Sequence, residues 1–330
     1  MKKTITKVLA MGMAAMMLAS CSAGDGQTAG KKDTYKIGIT QYADHPSLDN
    51  CRKGFIEGLK ENGFVEGENL EIDYQAAQAN DSMNTQIAQS FANSGMDLVC
   101  GIATPSAQAL YVACKEKNIP VIFNAISDPV GAGLAVSETQ PMEGITGISD
   151  LLPVKDQLEL IRAILPDAKK IGIIYTTSEA NSISTIELYK TLAADYGFQI
   201  IDKGIAKQAE VTQAADILLK QVDCISNLTD NTVVAALSAV LEKANAQNIP
   251  VFGSEEEQVK NGCIASAGLD YVALGVQAGN MAAKVLKGED ISKMPFETIK
   301  ESKITININA ANDLGIKIPN DVAVKAETVN

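Results

Sequence analysis

Asp97-Leu98-Val99-Cys100-Gly101-Ile102 runs directly into Ala103-Thr104-Pro105-Ser106-Ala107-Gln108-Ala109-Leu110. The first six residues read as a buried strand, and the polar trio Thr104-Pro105-Ser106 reads as the start of a helix. Thr104 is the expected N-cap, and Pro105 the first helical residue, where its missing N–H costs nothing. Free backbone N–H groups and a hydroxyl at such a turn form a pocket suited to a carboxylate. Taken alone, the turn is equally a well-capped βα connection that binds nothing. A second copy follows the apolar run Val222-Asp223-Cys224-Ile225. There Thr229-Asp230-Asn231-Thr232 opens another Ala-rich helical pattern, so the two loops read as opposite sides of one cleft.

The duplication extends outward from these loops. Lys36-Ile37-Gly38-Ile39 recurs as Lys170-Ile171-Gly172-Ile173, and each copy reaches a Gly-Phe pair 27 residues later, at Gly63-Phe64 and Gly197-Phe198. Asn118-Ile119-Pro120-Val121 recurs as Asn248-Ile249-Pro250-Val251. Landmarks in the same order at a near-constant offset mark a repeated unit. Strand candidates in the first copy are Tyr35–Ile39, Leu70–Tyr74, Leu98–Ile102, Val121–Phe123 and Ile145–Gly147. In the second they are Ile171–Tyr175, Gln199–Ile205, Cys224–Asn227, Val251–Gly253 and Ile264–Ala267. Helical patterns lie between them, including one over Asn231–Gln247. Alternating strands and helices predict an α/β fold with two doubly wound parallel-sheet lobes joined by a hinge. Ligands of such sheets collect beyond the carboxyl ends of the strands.

The chain has 330 residues and begins with Lys2, Lys3 and Lys7 before an uncharged run that ends in Leu18-Ala19-Ser20-Cys21. A basic start, a short apolar stretch and small residues before the cut describe an export signal, too short to span a bilayer stably. Leu-Ala-Ser-Cys matches the bacterial lipobox, so residues 1–20 are expected to be removed and Cys21 lipidated, with residues 21–34 as a flexible tether. Residues 35–149 plus about 272–297 are assigned to an N-terminal lobe, and residues 150–271 plus about 298–330 to a C-terminal lobe. After cleavage 25 Lys and Arg stand against 40 Asp and Glu. Such an acidic surface argues against a nucleic-acid partner. The five cysteines beyond Cys21 show no CxxC pair or regular spacing and read mostly as buried thiols.

With these residues in hand, the chain resembles the solute-binding lipoproteins of ABC importers, within the branch associated with tryptophan, tyrosine and phenylalanine uptake. Ile39-Thr40-Gln41 with His45-Pro46, the Ala103–Gln108 turn and Ser127-Asp128-Pro129-Val130-Gly131-Ala132-Gly133 carry the resemblance in the first copy. Ser178-Glu179-Ala180-Asn181-Ser182, Thr229–Val233 and Gly268-Leu269-Asp270-Tyr271 carry it in the second. It implies a type I periplasmic-binding-protein fold with an amino-acid-like ligand, most often aromatic, between the lobes. It also implies a membrane permease and its ATPase as partners and an extracytoplasmic location. The chain departs from the family pattern at Ser226-Asn227-Leu228 and at Gly253-Ser254-Glu255-Glu256-Glu257.

A zwitterion needs donors for its carboxylate, an acceptor for its ammonium and a wall for its side chain. Thr104, Ser106 and helix N–H groups are the candidate donors. Asp230 is the candidate ammonium partner, with a plain helix cap as its alternative. Asn181, Ser182, Asn231 and Ser254 complete the C-terminal side; Gln41 and His45, the only histidine, complete the N-terminal side. Asp128 is a further contact candidate or a turn residue. Tyr42, Phe123, Tyr175, Phe252 and Tyr271 are candidates for the wall. The acidic run 255–257 reads as a solvated face. Gly131-Ala132-Gly133 lacks the third glycine of a dinucleotide loop, since Val136 stands there. One histidine, no nucleophile elbow and no phosphate loop argue against an enzyme, a cofactor and a metal site. A monomeric binding protein, open to a signalling role beside transport, is the expectation.

Overall fold

The computed structural model describes residues 34–329. The expected signal segment, Cys21 and nearly all of the expected tether lie outside the described residues. The N-terminal lobe is laid down as β1 (Tyr35–Gln41), α1 (Pro46–Glu61), β2 (Leu70–Ala76), α2 (Asp81–Asn93), β3 (Leu98–Ile102), α3 (Thr104–Cys114) and β4 (Val121–Asn124). A small hairpin, β5 (Ala135–Ser137) and β6 (Gln140–Pro141), precedes β7 (Ile145–Ser149). The C-terminal lobe follows as α4 (Val154–Ile164), β8 (Lys170–Thr176), α5 (Ala180–Leu192), β9 (Gln199–Ile205), α6 (Val211–Leu218) and β10 (Cys224–Ser226). It continues through α7 (Asn231–Val234), α8 (Leu237–Asn245), β11 (Val251–Phe252), α9 (Glu256–Lys260) and β12 (Ala265–Gly268). The chain then returns to the first lobe for α10 (Tyr271–Leu286) and β13 (Glu297–Thr298). It ends in the second with β14 (Lys303–Asn307), α11 (Ile308–Asp313), α12 (Asn320–Ala323) and β15 (Glu327–Val329).

The first sheet has the order β2-β1-β3-β4-β7-β13, parallel throughout. The second has the order β9-β8-β10-β11, and single backbone bonds from Gly253 to Ala265 and from Ile264 to Val251 carry it on to β12, β14 and β15. The fold is the expected α/β arrangement of two parallel-sheet lobes, with β14 running antiparallel to β12 at the edge of the second. The chain enters this strand after its last passage between lobes, with no crossover helix to reverse its direction. The helix expected over Asn231–Gln247 is broken after α7, and α4 has no counterpart among the expected helices. Its buried Val154, Leu158, Ile161 and Ile164 show helical spacing, which the adjacent passage between lobes obscured.

The repeat is visible at atomic level. Asp97 Oδ2 accepts the Lys36 N–H at 2.7 Å, and Asp223 Oδ2 accepts those of Lys169 and Lys170 at 2.7 and 2.8 Å. Asn118 and Asn248 both take the left-handed conformation, at φ 54°, just before their Ile-Pro strand starts. Each lobe has its own core: Ile37, Phe55, Phe91 and Phe123 anchor the first, and Leu158, Ile171, Tyr189 and Phe252 the second. The returning α10 lies unusually close to α1. A Cβ on Gly54 would stand 2.1 Å from the Val272 carbonyl, and one on Gly275 would stand 2.2 Å from that of Cys51. Glycine at i and i+4 on both helices permits this contact, which seals α10 to the N-terminal lobe although β12 before it belongs to the other. All five cysteines among the described residues are free and buried.

Candidate functional site

The carboxyl ends of both sheets face one cavity between the lobes. From the N-terminal lobe it is lined by the start of α1 (His45, Ser47, Leu48), the β3–α3 turn (Ala103, Thr104) and the loop after β4 (Ala125, Ser127). Asp150 and Tyr271, one at each of two passages between lobes, close one end. The C-terminal lobe contributes Asn181, Thr229, Asn231, Val234 and Gln258. Ala103 and Ala125 hold positive φ, 75° and 59°, so two residues with side chains sit in the region that favours glycine, both on the cavity wall. Ala103 is the residue before α3, which moves the expected cap by one: Thr104 is already helical.

On the N-terminal side, polar atoms are left free. The Thr104 hydroxyl is buried without a partner, and so are both ring nitrogens of His45. Burial lowers the His45 pKa to about 4, with weaker opposition from the Asn231 amide and Asp49, so the ring is neutral at pH 7. Asp150 accepts the Tyr271 hydroxyl at 2.6 Å and the Ser127 hydroxyl at 2.9 Å. Burial raises its pKa and these two hydrogen bonds oppose the rise. A carboxyl so placed lacks a cationic neighbour, which a ligand ammonium would supply.

On the C-terminal side the polar groups are engaged with one another. Glu179 accepts the Asn231 N–H at 3.0 Å and its Nδ2 at 2.6 Å, the Thr232 N–H at 3.1 Å and its hydroxyl at 2.8 Å, and Asn181 Nδ2 at 3.3 Å. Burial, with the nearby charge of Asp230, pushes the Glu179 carboxyl up to about 7 against these bonds. Asp230 caps α7 through the Val233 N–H and also accepts the Thr176 N–H and the hydroxyls of Thr176 and Ser182. It is wholly buried, which raises its pKa. Four donors on two oxygens leave it the cap role, behind the wall, in place of the ammonium contact expected of it.

His45, Thr104, Asn181 and Asn231 are thus brought together at the cavity. Ser182 and Asp230 lie behind it. Ser106 is engaged with Asn84 Oδ1 at 3.1 Å, Ser254 with the Asn227 carbonyl, and Gln41 with Ala43, Asp49 and Arg52. Asp128 accepts the Gly131 N–H at 2.8 Å and is a turn residue. Of the five aromatic candidates only Tyr271 lines the cavity. Tyr42 is held by Asp81 at 2.8 Å, Phe123 packs on Phe296, Phe252 lies in the second core, and Tyr175 packs against that core away from the cavity.

Asp150, Ser127, Ser47 and Gln258 were missed; an acid directly after the apolar strand Ile145–Ser149 was the available signal for the first. The acidic run also needs correction. Glu255 is 2 % exposed, caps α9 through the Glu257 and Gln258 N–H groups, and faces the Ser47 hydroxyl across the cleft. Its neighbour Glu257 accepts Asn50 Nδ2 of the other lobe at 3.1 Å. Burial pushes the Glu255 carboxyl up to about 7. Among the described residues no group of acids, cysteines and histidine is arranged to hold a metal ion.

Residues 36–330 match the family described as ABC transporter substrate binding protein. A curated relative, the tyrosine-binding protein of Clostridioides difficile (strain R20291), is 41% identical over 314 residues, covering 93% of this chain and 90% of its own. A solved domain in complex with L-Trp from Streptococcus pneumonia is 35% identical with a TM-score of 0.87, over 90% of this chain and 100% of its own. The ligand-free, open structure of a substrate-binding protein with adhesive properties from Clostridium difficile is 39% identical, yet its TM-score is 0.68, over 90% of this chain and 99% of its own. The more identical structure fits less well, so the lobes here sit nearer the arrangement of the tryptophan complex than that of the ligand-free, open form, in keeping with the contacts of Asn50 and Ser47 across the cleft. A two-lobed α/β chain with a cavity between its lobes, matched along nearly its whole described length, belongs to the ABC transporter substrate-binding protein family.

Proposed function

We propose that this extracytoplasmic binding protein closes on an aromatic amino acid and delivers it to the permease and ATPase of an importer. Asp150, buried between the hydroxyls of Tyr271 and Ser127 at one end of the cavity, carries this reading. It supplies the full negative charge that an α-ammonium requires. The ligand carboxylate is then assigned to the unpaired Thr104 hydroxyl and the free N–H groups at the starts of α1 and α3. The relatives that bind tyrosine and tryptophan support an aromatic side chain. Lipidation of Cys21, suggested by Leu18-Ala19-Ser20-Cys21, would hold the monomer at the membrane beside its permease.

A thermal-shift screen of the soluble chain begun after Cys21, against the standard amino acids and followed by calorimetry, tests the reading. Tyrosine, tryptophan or phenylalanine should raise the melting temperature, because a ligand bound only by the folded state stabilises it. A shift with other solutes and none with these three retires the aromatic assignment.

A further inference from the structure

Once the ammonium and carboxylate are placed as above, buried polar atoms remain without partners. Those of His45 lie away from Asp150. His45, Ser47, Val234 and Gln258 line both the cavity and an adjoining groove between the lobes, whereas Asp150, Ser127 and Tyr271 line only the cavity. The cavity therefore has a hinge end, closed by Asp150, and a mouth end, where His45 of one lobe meets Asn231 of the other.

At the mouth end His45, a neutral imidazole, offers one N–H donor and one acceptor; Asn231 interacts with the ring, and neither nitrogen has a partner at hydrogen-bonding geometry. Asn181, which shares Glu179 Oε2 with the Asn231 amide that meets His45, adds a further acceptor. Its amide nitrogen is directed at Glu179 Oε2, Ser182 Oγ and the Thr229 carbonyl, at 3.3, 3.3 and 3.2 Å. The Thr229 carbonyl only accepts, which sets the amide orientation and leaves Asn181 Oδ1 on the cavity, buried and unpaired. Buried groups of this kind are costly to leave unmatched.

We infer that His45 and Asn181 determine specificity by reading a hydrogen-bonding group on the ligand's aromatic side chain, so that a phenol or an indole is taken in preference to an unsubstituted phenyl ring. The inference rests on the amino-acid reading above and goes beyond it. A phenolic hydroxyl both donates and accepts, and so answers an acceptor and a donor at once. An indole N–H answers one acceptor. Phenylalanine answers neither and still seals these atoms from water.

Calorimetric titration of the soluble protein with tyrosine, tryptophan and phenylalanine tests this, together with the His45→Leu and Asn181→Ala variants. In the unaltered protein, tyrosine or tryptophan should bind about 10- to 100-fold more tightly than phenylalanine, the effect of one or two unmatched buried groups. In each variant the ratio should fall toward one. Taking a ratio within one protein cancels any loss of stability or of closure that the substitution causes. Equal affinity for phenylalanine and the better of the other two, or a ratio retained in both variants, overturns the inference and leaves the receptor reading standing. Binding of none of the three overturns both.

Discussion

The two lobes are copies of one βα plan, yet their faces on the cavity differ in kind. The N-terminal face presents polar atoms with nothing to bond: the Thr104 hydroxyl and the His45 nitrogens. The corresponding C-terminal face is tied together by Glu179 and Asp230, which between them accept nine hydrogen bonds from Thr176, Asn181, Ser182, Asn231, Thr232 and Val233. One side is left incomplete for a ligand to finish, and the other, apart from the unpaired Asn181 Oδ1, is bonded up in advance. A duplicated scaffold thus divides contact from positioning between its halves, and preorganisation on one side lowers the entropy lost on closure.

The largest break in this comparison should come from Asp150, which belongs to the contact side. Asp150→Ala removes the only buried carboxylate on the cavity wall, and affinity for the ligand should fall by roughly 100-fold or more, as when one partner of a buried charge pair is deleted. The unliganded protein should melt only slightly lower, since removing a desolvated carboxyl offsets part of what the Tyr271 and Ser127 hydroxyls lose with their acceptor. Calorimetry and melting curves on the same sample check both halves, and unchanged affinity would remove Asp150 from the site.

A positioning residue should behave in the reverse way. Glu179→Gln places an amide N–H₂ among donors from Asn181, Asn231 and Thr232, so both stability and affinity should drop, by about 1–3 kcal/mol in stability. If Glu179→Gln bound ligand normally and melted normally, the C-terminal face would not depend on its acids.

The smallest effect is one of pH, and the lobes should pull in opposite directions. Glu179 and Glu255 are held up to about 7 in the folded protein, above the usual glutamate range. Their contribution is fully present below that range and is lost as pH rises through about 7. His45, lowered to about 4, does the opposite: its contribution is present above the ordinary histidine range and is lost as pH falls toward 4. The melting temperature of the unliganded protein should therefore decline between pH 6.5 and 8 by a few degrees. Glu255→Gln should flatten that decline. A melting temperature that rises over this interval would contradict the burial of these carboxyls.

Much of the scaffold was legible in the chain. Lys36-Ile37-Gly38-Ile39 and its echo at Lys170, the paired Asn-Ile-Pro starts and the alternating apolar runs placed the parallel strands of both sheets to within a residue or two, except β13 and β15. His45, Thr104, Asn181 and Asn231 were legible too, because loops at strand ends are where such folds bind. Asp230 was read as a ligand contact for the same reason, and its fourfold engagement with Thr176, Ser182 and Val233 could not be seen in a linear pattern. Glu255 looked solvated beside two other acids, whereas α9 begins there and needs its side chain as a cap against the other lobe.

The sequence by itself determined the two-lobe α/β plan, its duplication and the loops on which a ligand would sit, since strand and helix periodicity and turn chemistry are local. Only the tertiary structure decided which polar atoms remain unpaired once the chain has folded. Asp150 and Tyr271 are 121 positions apart and meet only because two separate passages between lobes lie side by side. Hydrogen bonds reaching across 48 to 54 positions engage the oxygens of Asp230 and Glu179 while Thr104 and His45 stay free. Availability for a ligand is what remains after internal bonding is complete, and that remainder is a property of the whole fold.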